Sequence, residues 1–529
     1  MSGGKTYYVT TPIYYVNDEP HIGHAYTTLA CDVLARFMRL DGYDVTFLTG
    51  TDEHGQKVEK AAAAAGLDPL RFADKVSGNF RSLAKAMNFS NDDFIRTTEP
   101  RHIKACQAIW QAIAAGKSPQ GRDNIYLGKY AGWYAVRDEA FFAEEELTKG
   151  ANGQLFAPSG APVEWVEEPS YFFRLSDWQD ALIAFYESNP DAVAPNTRRN
   201  EVISFVRSGL KDLSISRTTF KWGVPVPGDE AHIMYVWLDA LTNYITAVGY
   251  PDTGSAAFAK YWPADLHMVG KDILRFHAVY WPAFLMAAGI APAKRVFAHG
   301  WWTNEGQKIS KSVGNVIDPF ELVETYGLDP VRYFLMREVP FGNDGDFSRR
   351  AMVHRLNGDL ANDLGNLAQR VLSFIAKNGG AAVPKPAAFA PEDAWLDAAA
   401  TGKLLAAVRK ELAQQSFHKA LDAIWEVVST ANRYVDEQAP WKLRKTDPAR
   451  MATVLYVLCE ALRRLGLIAH AFMPTAMDGL LDQLAVPASD RTLAAWDKAL
   501  VPATPLPAPK GIFPRYVEKE AGEKEAGAA

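Results

Sequence analysis

Residues 7–52 read YYVTTPIYYVNDEPHIGHAYTTLACDVLARFMRLDGYDVTFLTGTD. The segment Tyr7–Thr11 is aromatic and β-branched, which is typical of a strand. A polar break separates it from residues 21–40, where apolar side chains recur at helical spacing before Gly42 ends the pattern. Val45–Leu48 then begins a second strand. A strand, a helix and a strand in this order predict a parallel pair with a right-handed crossover.

The ligand-binding edge of such a sheet follows from the strand order, because ligands collect beyond the carboxyl ends of parallel strands. His21 and Asp52 each follow a predicted strand and therefore fall at that edge. The first turn contains no G-x-G-x-x-G, so the fingerprint of dinucleotide binding is absent.

The composition of the chain is that of an ordinary globular protein. Its 529 residues suggest roughly three to four domains, with 48% hydrophobic and 22% charged residues. The net charge of −6 provides no global basic field, so any contact with nucleic acid needs local basic patches. We expect neither a membrane-spanning helix nor a signal peptide, because no apolar run is long enough for the first or suitably placed for the second.

The cysteines are few: Cys31, Cys106 and Cys459. No pair has C-x-x-C spacing, which excludes a disulfide framework and a cysteine zinc knuckle. This usage fits a reducing, cytoplasmic environment.

Changes in local residue composition and pattern mark the predicted domain boundaries. From about residue 121 to 227, short aromatic strands alternate with Gly, Pro and Asn, which predicts a small insertion domain. Buried-strand patterns return at 232–237 and 265–270, so the insertion splits the sheet domain. After about Arg349 the chain reads as a helix bundle, and the charged, Gly- and Ala-rich residues 518–529 are predicted to be disordered.

Two short motifs carry candidate chemistry. In His21-Ile-Gly-His24, both histidines share one face of a helix start, whose N–H groups and dipole suit a phosphate, and Gly23 allows close approach. Metal binding is the alternative for this spacing, although no third ligand is adjacent. In Lys308-Ile-Ser-Lys311-Ser312, two flexible lysines can follow a phosphate whose charge grows during reaction. The alternative for that segment is an exposed basic loop.

Taken together, and in this order around an insertion and before a helix bundle, the two motifs resemble the HIGH and KMSKS signatures of class I aminoacyl-tRNA synthetases. The second differs from the family pattern by Ile309 in place of Met. Three further segments look like methionyl-tRNA synthetase, and the resemblance extends to about Val517. They are Thr11-Pro-Ile-Tyr-Tyr15, Tyr235-Val-Trp-Leu-Asp-Ala240 and Gly270-Lys-Asp-Ile-Leu-Arg-Phe-His277.

The resemblance implies a set of site residues. Asp52 would hold the substrate ammonium, Arg217 would orient that carboxylate, and Asp272 would support the site. His21, Gly23, His24, Lys308 and Lys311 would bind ATP, with the histidines and lysines catalytic. Leu241 and Leu213 stand where some family members carry proline and tryptophan. The implied methionine pocket consists of Ile13, Tyr15, Trp237, Leu241, Tyr244 and His277.

Other functions remain as alternatives: another class I synthetase, or a non-catalytic tRNA-binding relative. The leucine, isoleucine and valine enzymes carry a large editing domain, because apolar pockets separate a methylene by only about 1–3 kcal/mol, and the insertion here is too small for one. A cysteine-specific enzyme would be expected to use cysteine-rich zinc chemistry, and this chain has only three cysteines. The insertion contains no cysteine, so we predict that it folds by aromatic packing and holds no zinc.

A third set of residues suggests RNA recognition. Along a predicted helix at 357–377, Asn362, Asn366 and Arg370 step by four opposite an apolar stripe. Amides and guanidinium planes read splayed RNA bases, and Trp441 can stack on one, although a polar solvated face and a buried tryptophan are the alternatives. By resemblance, these four residues read the CAU anticodon.

The resemblance implies a methionine–tRNA ligase that uses ATP with Mg2+, serves initiator and elongator tRNA, contacts no membrane and acts as a cytoplasmic monomer. Its fold would be a Rossmann-like catalytic domain in two halves, followed by an all-α anticodon-binding bundle. The implied boundaries are 1–120 and 228–300 for the catalytic halves, 121–227 for the metal-free connective insertion, 301–348 for the KMSKS loop and stem-contact region, 349–517 for the bundle and 518–529 for the tail.

Overall fold

The computed structural model of the chain describes residues 4–16, 19–138, 140–309, 314–397 and 402–518, without the side chains of residues 130, 395 and 397. The described residues fall into two units. The sheet unit comprises Lys5–Ala35 and Asp44–Trp301. The helical unit comprises Gly4, Arg36–Tyr43 and the described residues from Trp302 onward. In the part of the chain that the structure describes, we find no helix long and apolar enough to cross a membrane.

The sheet unit, together with the helix that continues to Leu40, alternates strands and helices. Its strands are β1 (Thr6–Thr10), β2 (Tyr14–Tyr15), β3 (Asp44–Asp52), β4 (Asp93–Arg96), β5 (Ile125–Ala135), β6 (Ala140–Phe142), β7 (Thr148–Lys149), β8 (Leu155–Phe156), β9 (Glu164–Phe173), β10 (Val193–Ala194), β11 (Leu213–Ser214), β12 (Ser216–Arg217), β13 (Pro225–Val226), β14 (Asp229–Met234), β15 (Leu266–Gly270) and β16 (Val296–His299). Its helices are α1 (Ile22–Leu40), α2 (Gln56–Ala64), α3 (Pro69–Ala86), α4 (Pro100–Ala115), α5 (Gln179–Ser188), α6 (Asn196–Arg207), α7 (Val236–Leu241), α8 (Asn243–Thr246), α9 (Ala256–Tyr261) and α10 (Trp281–Ala287).

A seven-stranded parallel sheet lies at the centre of this unit, in the order β10-β16-β15-β1-β3-β2 with β4 beside β3. The predicted parallel pair is confirmed, because Tyr7 lies opposite Val45 in the β1–β3 register. Buried side chains from adjacent strands, including Tyr8, Leu48 and Val269, join Trp281 and Phe284 of α10 in one apolar cluster. This core fixes the strand ends that carry the candidate site.

An antiparallel sheet in the order β11-β9-β5-β6 lies within the predicted insertion. Aromatic pairs fasten its strands: Trp133 opposes Trp165 with ring centroids 5.2 Å apart, and Tyr126 stacks on Phe172 at 5.5 Å. Between β9 and β11, however, the chain returns to the parallel sheet as β10. A strand of two residues is too short to show an alternation of apolar and polar side chains, so this return could not be predicted from local sequence.

The helical unit begins with a small sheet of β17 (Trp302–Asn304), β18 (Gln307–Lys308) and β19 (Gly345–Phe347). Its helices are α11 (Pro319–Tyr326), α12 (Leu328–Arg337), α13 (Arg349–Arg355), α14 (Asn366–Asn378), α15 (Pro391–Asp397), α16 (Leu404–Ala413), α17 (Phe417–Gln438), α18 (Pro440–Thr446), α19 (Pro448–Ala469) and α20 (Pro474–Gln483). The long α17 packs against α16 and α19, which confirms the helical reading after Arg349. The predicted tail lies outside the described residues except for Glu518.

Candidate active site

A cavity of about 390 Å³ opens at the carboxyl edge of the parallel sheet. The segments that line it follow β1, β3, β15 and β16 and are completed by the start of α1 and by α7 and α8. Small-molecule sites commonly have volumes of about 300–1,000 Å³, and parallel sheets place them at this edge. The cavity is therefore the candidate active site of the sheet unit.

The histidine turn forms one wall of the cavity. The rings of His21 and His24 lie 3.9 Å apart, and the His21 backbone N–H donates to His24 Nδ1 at 3.1 Å. The Gly23 N–H donates to His21 Nδ1 at 3.0 Å, and a Cβ on Gly23 would come within 2.9 Å of the His21 ring. A side chain at position 23 would therefore require the His21 ring to shift.

The protonation of these histidines follows from their surroundings. Burial lowers the pKa of His21, partly offset by the charge of Asp272, and burial with the neighbouring His21 lowers the pKa of His24 well below its usual value. Both rings are neutral at pH 7 and accept hydrogen bonds at Nδ1. Each Nε2 then carries the proton, so the turn presents two uncharged N–H donors suited to phosphate oxygens.

Residues after β15 and β16 complete this wall. His299 Nε2 lies 2.7 Å from Thr27 Oγ1 of α1, and the Trp301 indole N–H donates to Asp272 Oδ1 at 3.1 Å. The Lys271 ammonium lies 4.4 Å from the centre of the Trp301 ring. The sequence interpretation included Asp272 but missed Thr27, His299 and Trp301, although the position of the last two at and just beyond the end of a buried strand was a usable signal.

Aromatic side chains form another part of the cavity lining. Trp237 stacks on Phe276 with ring centroids 3.7 Å apart and planes 7° apart. Tyr244 and His277 are buried, and the Tyr244 hydroxyl lies 2.7 Å from His277 Nε2. Ile13, Tyr15 and Leu241 line the same cavity, so the structure brings together all six residues of the predicted methionine pocket.

The proton of the Tyr244–His277 pair can be assigned. His277 lies in a π-helical turn, Phe276–Tyr280, and its Nδ1 donates to the Ile273 carbonyl at 2.9 Å. Burial lowers the pKa of His277 to about 4, so the ring is neutral and its Nε2 accepts. Burial also raises the pKa of Tyr244, which keeps its hydroxyl protonated as the donor. Soft, aromatic surroundings of this kind suit a thioether.

Asp52 ends β3 and lies on the cavity with only 3% of its surface exposed. It pairs in register with Tyr15 of β2. A carboxylate that is buried and yet lines a cavity is a suitable partner for a substrate ammonium.

Three predicted site residues are not among the described residues that line this cavity. Arg217 is not among the described residues that line the cavity: its guanidinium lies 4.6 Å from the Tyr235 ring centre and 4.7 Å from that of Phe141, and its Nε is 4.0 Å from Glu168. Its role toward Asp52 stays a prediction. In the helical unit, Lys308 is an exposed residue of β18, while Lys311 lies outside the described residues.

The predicted anticodon reader lies in the helical unit. Asn362 and Asn366 are exposed, and Trp441 at the start of α18 keeps 42% of its surface exposed. Arg370 bonds to Asp436 at 2.6 Å and lies 5.4 Å from the Trp441 ring centre, so these two predicted residues come together. The predicted helix at 357–377 is a π-helical segment, Leu356–Gly365, that continues into α14.

Comparison with known proteins places these features in a family. The family model described as "tRNA synthetases class I (M)" matches residues 7–372, and that of the "Anticodon binding domain of methionyl tRNA ligase" matches 383–525. The methionine–tRNA ligases of Mesorhizobium japonicum and Brucella suis are 61% and 60% identical over 97% and 98% of this chain and 98% and 99% of their own lengths. The structure of Mycobacterium tuberculosis methionyl-tRNA synthetase in complex with methionyl-adenylate is similar at a TM-score of 0.94 and 54% identity, covering 97% of this chain and 100% of that one.

The parallel sheet, the histidine turn at its carboxyl edge and the helical region that follows define a class I aminoacyl-tRNA synthetase. Within that class, the chain belongs to the methionyl-tRNA synthetase family.

Proposed function

We propose that this chain activates methionine in the cavity of the sheet unit and then transfers it to tRNA. The observation that carries the proposal is one cavity lined by two histidine N–H donors, a buried carboxylate and an aromatic pocket. These are complementary to the phosphate, ammonium and thioether of a methionyl-adenylate. The similar Mycobacterium tuberculosis structure contains that ligand, which supports the proposal.

Methionine is held at two points. Asp52 binds the ammonium, and the thioether packs against Trp237 and Tyr244, with Ile13, Tyr15, Leu241 and His277 completing the pocket. Asp272, held by Trp301, supports the site from the end of β15. The role of Arg217 in orienting the Asp52 carboxylate is retained as a prediction, although its guanidinium lies beside Tyr235 and Phe141. This arrangement fixes the substrate carboxylate toward the histidine turn.

ATP enters as its Mg2+ complex. The methionine carboxylate attacks the α-phosphate in line, a carboxylate–phosphorus bond forms, and the bond to pyrophosphate breaks. Gly23 allows close approach, and the His21 and His24 N–H groups bind phosphate oxygens as their charge grows. Lys308 and Lys311 neutralise the leaving pyrophosphate. Positioning and charge stabilisation supply the catalysis, because the protein performs no covalent step.

Transfer to tRNA uses the helical unit for recognition. Asn362, Asn366 and Arg370 bind the edges of the CAU anticodon bases, and Trp441 stacks on one of them. The adjacent Lys442 and Arg444 provide a local basic patch for the RNA backbone. Both initiator and elongator tRNA carry this anticodon, so we propose that both are substrates.

We also propose a monomer that works in the cytoplasm and holds no zinc. The insertion contains no cysteine, and aromatic pairs join its strands, which supports the last point. We retain 121–227 as the insertion, interrupted where β10 returns to the parallel sheet, and 349–517 as the anticodon-binding domain. Stoichiometric zinc in elemental analysis of the purified protein would refute the metal-free insertion, and light scattering would test the monomer.

The direct test is methionine-dependent exchange of pyrophosphate into ATP. We expect saturable exchange with the parent, and a loss of about 100-fold or more in His24→Ala because two-point phosphate binding is lost. A matched control is His354→Ala, a histidine on α13 of the helical unit, which should leave exchange unchanged. Absence of exchange in the parent would favour a non-catalytic tRNA-binding protein instead.

A further inference from the structure

A buried hydrogen-bonded network lies next to the methionine pocket. Asp239, in the middle of α7, bonds through Oδ2 to His54 Nδ1 at 2.6 Å and through Oδ1 to His102 Nε2 at 2.7 Å. Asp239 and His102 are fully buried, and His54 is 4% exposed. Cys106 packs beside them, with its Sγ 3.2 Å from His102 Nε2. None of these four residues lines the cavity.

The direction of the hydrogen bonds follows from the charge of Asp239. Burial by itself would raise the pKa of this carboxyl, but the contacts with His54 and His102 outweigh it and hold the pKa below its usual value. An ionised carboxylate only accepts, so both histidines donate. Losing either donor leaves a buried charge with one partner fewer, which makes the network sensitive to single substitutions.

The network connects the two parts of the methionine site. Asp239 lies between Trp237 and Leu241 on α7, both of which line the cavity. His54 lies two residues beyond Asp52, the cavity carboxylate at the end of β3. The His54–Asp239 bond is therefore a direct link between the segment that binds the ammonium and the helix that binds the thioether.

The distances between the polar side-chain atoms distinguish this network from a metal site. His102, Cys106 and Asp239 offer ligand atoms within 4.8 Å of one another. Around a tetrahedral zinc ion, ligand atoms lie roughly 3.3–3.8 Å apart, as follows from metal–ligand bonds of about 2.0–2.3 Å. Within this group the His102 Nε2–Asp239 Oδ1 distance is 2.7 Å, which is too short for two ligands of one zinc ion and normal for a charge-assisted hydrogen bond.

We propose that His54 is a positioning residue for methionine: its bond to Asp239, braced by His102 from α4, sets the distance between Asp52 and the thioether pocket. This rests on the proposed roles of Asp52 and Trp237. A displacement of about 1 Å in a site that binds its substrate at two points can cost as much as 100-fold in rate. Loss of the bond therefore acts on methionine and leaves ATP binding, at the histidine turn, little changed.

The test compares His54→Phe with His54→Asn in pyrophosphate exchange. Phenylalanine keeps the ring and removes the donor, whereas the asparagine amide nitrogen takes nearly the position of Nδ1 and restores the bond. We expect the KM for methionine to rise about 10-fold or more in His54→Phe. The KM for ATP should stay within two-fold of the parent value, roughly the scatter of such measurements. His54→Asn should recover most of the methionine affinity.

The matched control is His232→Phe. His232 is 5% exposed in the same unit, bonds to Ser216 at 2.9 Å and does not line the cavity. It should lower the thermal midpoint without changing the ratio of the two KM values. His102→Gln against His102→Phe repeats the comparison from the other side of Asp239, and thermal melting of every variant verifies folding.

Two benchmark variants separate the possible failures. If Asp52→Asn and Trp237→Ala raise the KM for methionine but His54→Phe behaves like His54→Asn, the positioning role is overturned while the proposed function stands. If neither benchmark affects methionine, the proposed pocket is wrong and the positioning role falls with it. Stoichiometric zinc in the parent protein that is lost in the Cys106→Ser variant would show that the cluster binds metal. It would likewise overturn its assignment as a hydrogen-bonded network.

Discussion

Replacing Tyr244 by phenylalanine isolates one hydrogen bond at the candidate thioether pocket. The Tyr244 hydroxyl donates to His277 Nε2 at 2.7 Å, and His277 Nδ1 is already used by the Ile273 carbonyl. The variant keeps the ring and its packing but leaves a buried ring nitrogen without its donor. Before substrate binds, a cavity water can take the donor's place; methionine must then displace that water.

The magnitude follows from that displacement. Leaving a buried acceptor unsatisfied costs about 1–3 kcal/mol, which corresponds to roughly 5- to 150-fold in an equilibrium constant. In the free variant a water donates to His277 Nε2, whereas in the methionine complex this nitrogen has no donor. The cost therefore falls on methionine binding. We therefore expect the KM for methionine to rise within that range while the KM for ATP stays unchanged.

The assay is pyrophosphate exchange, with methionine and ATP varied separately. Tyr186→Phe is the control: Tyr186 is equally buried, donates one hydrogen bond to the Ala278 carbonyl and does not line the cavity. It should change stability and leave both KM values alone. If Tyr244→Phe kept the parental KM for methionine, or shared its increase with Tyr186→Phe, the reasoning about the pocket would be refuted.

Three further predictions address the other parts of the account. Lys311→Ala should slow adenylate formation about 100- to 1,000-fold with little change in methionine affinity, as rapid-quench measurements can show; unchanged exchange would remove the lysine from the reaction. Trp441→Ala should spare exchange and reduce kcat/KM for tRNA roughly 5- to 150-fold through lost stacking; equal losses in both assays would contradict a division of labour. Burial of His277 lowers its pKa to about 4 in the folded chain, so as the pH falls the unfolded chain binds a proton at this residue first. The free energy of unfolding should therefore be highest above about pH 6.5 and should fall toward pH 4 by up to about 3 kcal/mol. The free energy of unfolding, measured with denaturant across this pH range, should depend less steeply on pH in His277→Gln than in the parent. An identical pH dependence in the two proteins would exclude His277 as a cause.

Local patterns predicted the core of the fold. The helix expected at 21–40 is α1 (Ile22–Leu40), and the strands around it are β1 and β3. Hydrophobic periodicity and a glycine stop are properties of neighbouring residues, so they are visible in one sequence. The β10 strand depends on its distant partner β16, and neither it nor the π-helical turn around His277 left a local signal.

The residues of the candidate site likewise fall into those that the sequence could place and those that it could not. His21, His24 and Asp52 follow strands and could be placed at the sheet edge from their order alone. The pairing of Asp239 with His54 and His102 joins positions 185 and 137 residues apart, which spacing cannot reveal. The position of Arg217 between the rings of Phe141 in the insertion and Tyr235 beyond it was equally invisible, because it depends on how distant strands pair.

The most direct measurement is a crystal structure of the chain with a non-hydrolysable methionyl-adenylate analogue. The account predicts the phosphate mimic on His21 and His24, the ammonium on Asp52 and the thioether between Trp237 and Tyr244. A ligand bound in another cavity, or one turned so that its sulfur faces the histidine turn, would contradict it.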